Sequence, residues 1–213
     1  LLKRSIEELG TINLGAIDEY NRIKERYDFL TKQREDLEEA KRTLYEVIAE
    51  MDHEMATRFH ETFEKIKVAF TSVFKQLFGG GHAELRLTSP EELLDTGVDI
   101  IAQPPGKKLQ QLGLLSGGER ALTALALLFA ILQVRPVPFC VLDEVEAALD
   151  EANVSRFAQY LKQFSSQTQF IVITHRKGTM EEADVLYGVT MQESGVSRLV
   201  SVRLEEAPEL LEV

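Results

Sequence analysis

The stretch that decides the fold of this sequence is Leu114–Arg120, which reads LLSGGER and runs straight into the apolar segment Ala121–Ala130. A serine and two glycines therefore open a predicted helix. A helix N-terminus offers unpaired backbone N–H groups and a partial positive charge, and glycine lets another molecule approach that backbone closely. The pattern predicts an anion site, for which phosphate is the natural occupant. The alternative is that Ser116 is only the N-cap of a buried helix and the glycines form a turn.

Two apolar runs further along the chain end in polar residues. The first, Phe139–Leu142, is followed by Asp143 and Glu144, and the second, Phe170–Thr174, is followed by His175. Continuous apolar runs of this length are typical of strands buried on both faces of a parallel sheet. Ligand sites of α/β sheets lie at the carboxyl ends of the strands, so these three polar residues are predicted to share one edge.

The chemistry of these three side chains suits phosphoryl transfer. Asp143 can hold a hydrated magnesium ion, which prefers oxygen ligands. Glu144 can polarise a water molecule for in-line attack on phosphorus, and His175 can contact the terminal phosphate. Taken singly, Asp and Glu after a strand are common turn residues, and a histidine at a strand end is more often hydrogen-bonded locally than functional. The prediction therefore rests on all three residues occurring in this order.

Composition excludes several other classes of protein. The 213 residues carry a net charge of −11, which argues against a chain that coats nucleic acid through its whole surface. The single cysteine, Cys140, excludes an internal disulfide and fits a reducing cytosol. The sequence shows no apolar run of membrane-spanning length and no signal peptide, so we expect a cytoplasmic protein without membrane contact. Because the chain begins with Leu1 and not Met, we expect a piece of a longer polypeptide.

The N-terminal third of the chain predicts one long helix, since no helix breaker occurs from Ala16 to Phe78. Its apolar residues recur at a spacing of four and three, and two charged residues, Arg34 and Lys41, interrupt the seam. This is a heptad pattern with charged flanks, which favours a coiled coil whose partner helix is missing from this chain. The alternative is a single helix packed on a globular core. The seam positions are Ile23, Tyr27, Leu30, Leu37, Leu44, Ile48, Met51 and Met55.

From Phe59 onward the stripe on this helix becomes bulky and aromatic, which predicts that the helix enters a globular core and ends at Gly79–Gly81. Further segments are assigned by alternation and by turn residues. We expect a short helical segment at Leu1–Leu9, strands at His82–Leu87, Val98–Ala102, Val185–Thr190 and Val196–Leu204, a helix at Glu151–Phe164, and an acidic tail at 207–213.

Four motifs in this order resemble those of ABC-type ATPases. Leu114–Arg120 resembles the signature motif, and Val141–Glu144 resembles a Walker B strand. Ala148–Asp150 resembles the D-loop, and Ile173–His175 resembles the switch histidine. The similarity extends beyond these motifs to longer stretches of sequence, including Pro138–Asn153 and Gln169–Met180. These stretches closely resemble the C-terminal half of the head of bacterial SMC proteins, the chromosome-structuring ATPases.

The resemblance implies an α/β fold, namely the C-terminal lobe of an ABC-ATPase head, with a mostly parallel sheet and flanking helices behind a long coiled-coil helix. It divides the chain into an arm or neck at 1–75, the lobe at 76–206 and the tail at 207–213. The sequence contains no P-loop, because Gly106-Lys107 lacks both the upstream glycine and the following Ser or Thr. In the family the P-loop lies in the N-terminal head segment, on the far side of the arm and hinge.

The resemblance also implies roles for individual residues in a cycle in which ATP is sandwiched between two heads of a homodimer. The signature motif grips the terminal phosphate of the ATP that the opposing head holds, and the D-loop crosses the dimer interface. Asp143 supports Mg²⁺ through water, Glu144 activates the attacking water, and His175 senses the terminal phosphate. The implied signature residues are Ser116, Gly117, Gly118 and Glu119, and the implied D-loop residues are Leu149 and Asp150.

The implied partners are the N-terminal head segment of the same protein, a second head, a kleisin subunit near the final strands, and DNA, in the nucleoid-associated part of the cytoplasm. ATP hydrolysis by such a head drives chromosome condensation and segregation. Two alternatives stay open: a double-strand-break repair ATPase with a similar arm, and a non-catalytic scaffold that only docks a kleisin. An ABC transporter domain fits poorly, because transporters have no such arm. Glu146 stands where many relatives carry Asp or Ser, and the sequence assigns it no role.

Overall fold

The computed structural model describes residues 15–203, so the helical segment expected at Leu1–Leu9 and the tail at 207–213 lie outside the described residues. The long helix α1 spans Ala16–Phe78, as predicted. The chain divides into two compact units between Met55 and Ala56. The helix therefore contributes residues to both units, and each unit is described separately below.

The first unit consists, within the described residues, of the N-terminal part of α1. All eight seam positions predicted for a coiled coil are exposed, with values from 48% at Met55 to 71% at Leu37. Charged residues on the flanks pair along the helix, as between Arg34 and Glu38 at 3.7 Å. An exposed apolar stripe of this kind is what a coiled-coil partner would cover. The coiled coil itself stays a prediction.

The second unit begins with the C-terminal part of α1, whose aromatic stripe is buried as predicted. Its buried side chains recur at positions that share one face of a helix. Phe74 stacks on Phe78 with ring centroids 4.1 Å apart. The helix ends at Gly79–Gly81, where all three glycines have positive φ, a backbone conformation that side chains disfavour. The buried residues of this stripe are Phe63, Phe70, Val73, Phe74, Leu77 and Phe78.

Within residues 15–203 three small sheets follow, and only one of these is parallel. The first is an antiparallel sheet in the order β1-β2-β3, the second pairs β4 with β5 in parallel, and the third is the antiparallel hairpin β6-β7. The strands are β1 (His82–Leu87), β2 (Val98–Gln103), β3 (Gln110–Gln111), β4 (Phe139–Asp143), β5 (Gln169–Ile173), β6 (Val185–Glu193) and β7 (Val196–Arg203).

The prediction of a mostly parallel sheet is therefore wrong for residues 15–203. Short connections can join only antiparallel neighbours, whereas a parallel pair needs a crossover, which in this chain is the helix between β4 and β5. The prediction that both strands are buried on both faces is also wrong. Phe139, Val141, Ile171 and Ile173 are about half exposed, while the alternate residues of both strands face the core. Successive side chains of a strand point to opposite faces, so only one face of the β4–β5 pair is covered by the core. The sequence does not show this alternation, because residues on both faces are apolar.

In the described part of the second unit, three further α-helices follow: α2 (Gly117–Val134), α3 (Glu151–Phe164) and α4 (Lys177–Met180). A short 3-10 helix at Leu112–Leu114 precedes α2. Phe129 of α2 lies at the centre of the core. Its ring centroid is 4.9 Å from that of Tyr160, 6.0 Å from that of Phe157 and 6.2 Å from that of Phe170. The core thus joins α2 and α3 to strand β5.

Helix α2 corrects one further expectation. By length and composition it is apolar enough to cross a membrane, although the sequence was expected to contain no such run. The core helix of a globular protein passes the same test, and Leu122, Ala126 and Phe129 on α2 are fully buried in the second unit. We therefore assign α2 to the core.

Candidate nucleotide site

The signature turn, Ser116–Glu119, is held by hydrogen bonds between its own residues. Ser116 is the N-cap of α2, and its Oγ accepts from the Glu119 N–H at 3.4 Å. In return the Glu119 carboxylate accepts from the Ser116 N–H at 3.1 Å and from the Ser116 hydroxyl at 2.8 Å. This is a capping box, in which each of the two side chains accepts a hydrogen bond from the backbone N–H group of the other residue. Ser116 is thus the N-cap of a helix with a buried face, as the alternative interpretation expected, while Ser116 itself remains exposed. The anion site at this turn stays a prediction.

Lys107 extends this local network from the preceding loop. Its Nζ lies 2.8 Å from Oε1 of Glu119 and 2.9 Å from Oε2. The hydrogen bond from Lys107 lowers the pKa of Glu119, and burial opposes it. The carboxylate is therefore kept ionised at the N-terminus of α2, where negative charge is favoured by the helix dipole. Gly106-Lys107, rejected as a P-loop, has a structural role beside the signature turn.

The two glycines of the turn have different surroundings. A Cβ built on Gly117 meets no atom within 4 Å, so this side of the turn is open. A Cβ on Gly118 would lie 2.9 Å from the backbone oxygen of Ala148. Gly118 is thus needed because the loop after β4 approaches the turn closely. Gly117 leaves the first N–H groups of α2 accessible from outside.

A polar cleft of about 530 Å³ joins the signature turn to the start of α3. Asp150 is the N-cap of α3 and accepts from the Asn153 N–H at 2.9 Å. Leu149, in contrast, is only 4% exposed and packs in the core, so of the two predicted D-loop residues only Asp150 offers its side chain to a partner. The polar lining comprises Ser116, Glu119, Asp150, Asn153 and Arg156, with Gly118 beside them.

The residues predicted at the strand ends lie together at one edge of the β4–β5 pair. Asp143 pairs with Ile173 in the parallel register, and the Glu144 N–H donates to the Ile173 carbonyl at 3.0 Å. Glu144 has a φ of 47°, which is uncommon for a residue other than glycine and turns the chain sharply at the strand end. Its Oε1 lies 3.4 Å from Nδ1 of His175. None of Asp143, Glu144 and His175 lines the signature cleft.

Asp143 has the properties that a magnesium ligand needs. Its side chain is exposed, and within residues 15–203 no hydrogen bond or ion pair occupies its carboxylate. One carboxylate with water completing an octahedral shell is a usual way to hold Mg²⁺ beside phosphates. The same residues contain no cluster of three or more His, Cys, Asp or Glu side chains that could form an all-protein metal cage. The donor set therefore fits Mg²⁺ carried in with a nucleotide.

The two strand-end loops are the segments 144–150 after β4 and 174–176 after β5. The sequence missed Glu146 of the first loop, whose side chain is fully buried. Its Oε1 accepts hydrogen bonds from the hydroxyls of Thr174 and Thr179. The only sequence signal is an acidic residue two positions after Glu144, in a segment where turn residues are expected to be exposed. A buried carboxylate among threonine hydroxyls depends on pairings 28 and 33 residues away, which no local pattern reveals.

Comparison with known proteins identifies the family. Residues 13–198 match the family model described as RecF/RecN/SMC N terminal domain. The chain belongs to the SMC family. The chromosome partition protein Smc of Bacillus subtilis is 73% identical over 212 residues, which is 100% of this chain and 18% of that protein. The chain thus spans about a fifth of the length of this SMC relative, and of the others that it resembles.

Solved SMC structures share the fold. The Smc head domain with an extended coiled coil, bound to the C-terminal domain of ScpA and derived from Pyrococcus furiosus, matches with a TM-score of 0.71 and 42% identity. The match covers 99% of this chain and 53% of that one. A structure described under ATP-driven dimerization and DNA stimulated activation of SMC ATPases matches with a TM-score of 0.66 and 44% identity, over 74% of this chain and 95% of the other. The described fold is therefore that of an SMC head region with a long helix.

Proposed function

We propose that this chain is the C-terminal half of an SMC ATPase head. In this proposal it supplies the signature motif, the Walker B carboxylates, the D-loop and the switch histidine to ATP hydrolysis that drives chromosome condensation and segregation. The observation that carries the proposal is the pair of exposed groups at the end of β4 and β5, with Glu144 Oε1 and His175 Nδ1 3.4 Å apart beside Asp143. We keep the division into arm or neck (1–75), lobe (76–206) and tail (207–213) as part of it.

The chemistry follows from the positions of these groups. Glu144 accepts a proton from a water molecule, which attacks the terminal phosphorus of ATP while the bond from phosphorus to the ADP oxygen breaks. His175 donates a hydrogen bond to the terminal phosphate and is kept near Glu144. Asp143 would hold Mg²⁺ through water, and the ion would supply charge neutralisation for the phosphate oxygens. Inorganic phosphate and ADP are the products.

The signature turn acts on a different nucleotide in this proposal. Ser116 and Gly117 lie on an exposed turn, and the cleft beside them excludes the three strand-end groups. The same chain therefore has two separate surfaces that suit phosphate. A second head that places its ATP against Gly117 would bury both surfaces in one dimer. Its nucleotide would also meet Asp150 at the rim of the cleft.

The family model's description favours a second candidate, in which the chain is the N-terminal head segment with its own nucleotide site. Titration of the chain with ATP separates the two. Under our proposal the chain alone binds ATP negligibly, and it hydrolyses ATP only when assembled with a head segment that carries a P-loop. Tight ATP binding by the chain alone would instead support the N-terminal assignment. Failure of the assembly to hydrolyse ATP would favour a scaffold that only docks a kleisin.

The catalytic assignment is tested by Glu144→Gln in the assembled head. Removing the base should lower kcat by about 10²- to 10⁴-fold and leave ATP binding intact, so an ATP-bound dimer accumulates. Glu181→Gln is the matched control, because Glu181 is similarly exposed and pairs with Lys177 at 3.6 Å. Turnover and dimer mass are measured together. Rapid hydrolysis by Glu144→Gln would remove Glu144 from the mechanism.

We further propose that the assembled protein binds a kleisin and DNA in the cytoplasm, in association with the nucleoid. Support for the kleisin comes from the Pyrococcus furiosus head, which is described as bound to the C-terminal domain of ScpA. The hairpin β6-β7 offers exposed apolar side chains for such a contact, including Tyr187, Val189 and Leu199. Leu199→Glu should then weaken binding of a kleisin C-terminal domain, measured by titration, without changing ATP turnover in its absence.

A further inference from the structure

Glu146 is a buried acidic residue that the proposed chemistry does not use. Its side chain has no exposed surface, whereas Glu144, two residues earlier, is 58% exposed. Burying a carboxyl group away from water costs free energy of folding unless hydrogen bonds within the protein replace those to water. Oε1 of Glu146 accepts from the Thr179 hydroxyl at 3.1 Å and, at shorter range, from the Thr174 hydroxyl. Oε2 has no hydrogen-bond partner among residues 15–203.

The Thr174 hydroxyl links this carboxylate to the backbone on both sides of His175. A hydroxyl has one proton, and Thr174 donates it to Glu146. The same oxygen accepts from the Arg176 N–H at 3.0 Å. The three residues form a short turn closed by the Thr174 side chain, with His175 at its centre. Glu146 therefore holds the turn from which the switch histidine projects.

A second contact joins the same two loops. Arg176 donates from its guanidinium to the Leu149 carbonyl at 2.7 Å and lies 3.4 Å from the Glu151 carboxylate. Leu149 is itself buried in the core. The turn Thr174–Arg176 is thus attached at both of its ends to the segment between β4 and α3. Such a doubly attached backbone has little freedom to shift.

The histidine side chain has no comparable support of its own. The His175 side chain is 65% exposed, and its Nδ1 lies 3.4 Å from Oε1 of Glu144. An exposed side chain gains little from packing, so its position depends on where the backbone places it. A shift of this turn would move His175 relative to both Glu144 and an incoming phosphate.

We propose that Glu146 is a positioning residue, which through the Thr174 hydroxyl fixes His175 relative to Glu144 for ATP hydrolysis. This inference rests on the proposed function, because it assumes that His175 and Glu144 act on the terminal phosphate. It adds a group whose side chain is fully buried, unlike those of Glu144 and His175. Its effect is transmitted entirely through the turn Thr174–Arg176.

Three variants of the chain, assembled with the P-loop-bearing head segment, test this role. Glu146→Ala removes the acceptor, and Thr174→Val removes the hydroxyl at nearly constant shape. Glu146→Gln keeps a carbonyl oxygen that can accept from the hydroxyls of both threonines. Its NH₂ group takes the position of Oε2, which has no hydrogen-bond partner in the part of the unmodified chain that the structure describes, so no hydrogen bond is lost there. Thr168→Val is the matched control, because Thr168 is buried and donates to the Val137 carbonyl at 2.8 Å, away from His175.

Two measurements are made on each variant: steady-state ATP turnover, and the ring correlation of His175 in an NMR spectrum of selectively labelled histidine. Misplacement of a reacting group by about 1 Å costs up to about 100-fold in rate. For Glu146→Ala and Thr174→Val we expect kcat to fall between about 10- and 100-fold, with the KM for ATP changed less than about twofold. The His175 correlation should shift while that of His82 stays in place. Glu146→Gln should restore both, and Thr168→Val should change neither.

The outcomes separate this inference from the proposed function. If Thr174→Val folds and leaves the His175 correlation and kcat unchanged, Glu146 is only structural and the inference is overturned. The inference is equally overturned if the correlation shifts but kcat does not change. If the unmodified assembly hydrolyses no ATP, or Glu144→Gln hydrolyses it freely, the proposed function fails. The NMR spectra then still decide whether Glu146 positions the His175 turn.

Discussion

The signature turn and the two strand-end loops both present exposed polar groups, but they are ordered in different ways. The turn is fixed by partners at most twelve residues apart, namely the capping box of Ser116 and Glu119 and the ion pair with Lys107. The strand-end loops are fixed by contacts that span 27 to 33 residues, through Glu146 and Arg176. The reactive groups of both regions remain at the surface.

This difference has a consequence for function. A turn ordered mainly by its own hydrogen bonds depends on the rest of the molecule at few points, here the close approach of the Ala148 oxygen to Gly118, and this suits a surface that docks onto a ligand brought by another molecule. In the proposed function, Glu144 and His175 act together on one phosphate and follow two different strands, so their mutual distance depends on hydrogen bonds between the loops. Under that proposal, substitutions far along the chain are expected to disturb the strand-end groups more than the signature turn.

Gly118 is the place where the two regions meet, and it offers the largest effect on stability. Gly118→Ala forces a Cβ to within 2.9 Å of the Ala148 oxygen, so backbone must move and the free energy of unfolding should fall by about 1–3 kcal/mol. Gly117→Ala has open space and should be neutral or stabilising by up to about 1 kcal/mol. Chemical denaturation measures both. Equal losses at the two glycines would show that the turn does not depend on the loop after β4.

A smaller effect tests whether the turn is locally ordered. The hydrogen bond from Lys107 lowers the pKa of Glu119 in the folded state, so Glu119 contributes stability above its unfolded pKa, and this is lost as pH falls through the folded value. Lys107→Ala should therefore reduce the loss of stability on acidification by a few tenths of a kcal/mol, since the lysine is half exposed.

Denaturation curves at neutral pH and below pH 4 give this difference, with Lys177→Ala as control because Lys177 pairs with Glu181 on an exposed surface. If Lys107→Ala loses as much stability as the unmodified chain on acidification, then Lys107 does not hold Glu119 in the folded protein.

The sequence predicted those features whose causes are local. The bounds of α1 and α3 and the end of α1 at Gly79–Gly81 follow from apolar periodicity and from breakers. The edge shared by Asp143 and His175 followed from the rule for strand ends, and the parallel register of β4 and β5 confirms it. These inferences need only residues that are neighbours along the chain or alternate with a known period.

Features that depend on tertiary pairing were missed or wrong. The exposed face of the β4–β5 pair and the antiparallel pairing of the other sheets depend on which segments lie nearby, which the apolar runs do not specify. The sequence also contained no indication that the side chain of Leu149 is buried in the core, while the predicted place of the D-loop at a dimer interface stays a prediction. The burial of Glu146 was missed because its hydrogen-bond partners, Thr174 and Thr179, lie 28 and 33 residues further along the chain.

The central claim is that Ser116 serves a nucleotide held by a different head, and mixing two inactive assembled heads tests it most directly. One carries Ser116→Arg and the other Glu144→Gln. In a mixed dimer, one site combines an intact Glu144 with the intact signature turn of its partner. Since half of the dimers in an equal mixture are mixed and each holds one intact site, ATP turnover should recover to about a quarter of the unmodified rate. Turnover that stays at the mean of the two variants alone would place Ser116 and Glu144 on the same nucleotide and contradict the account.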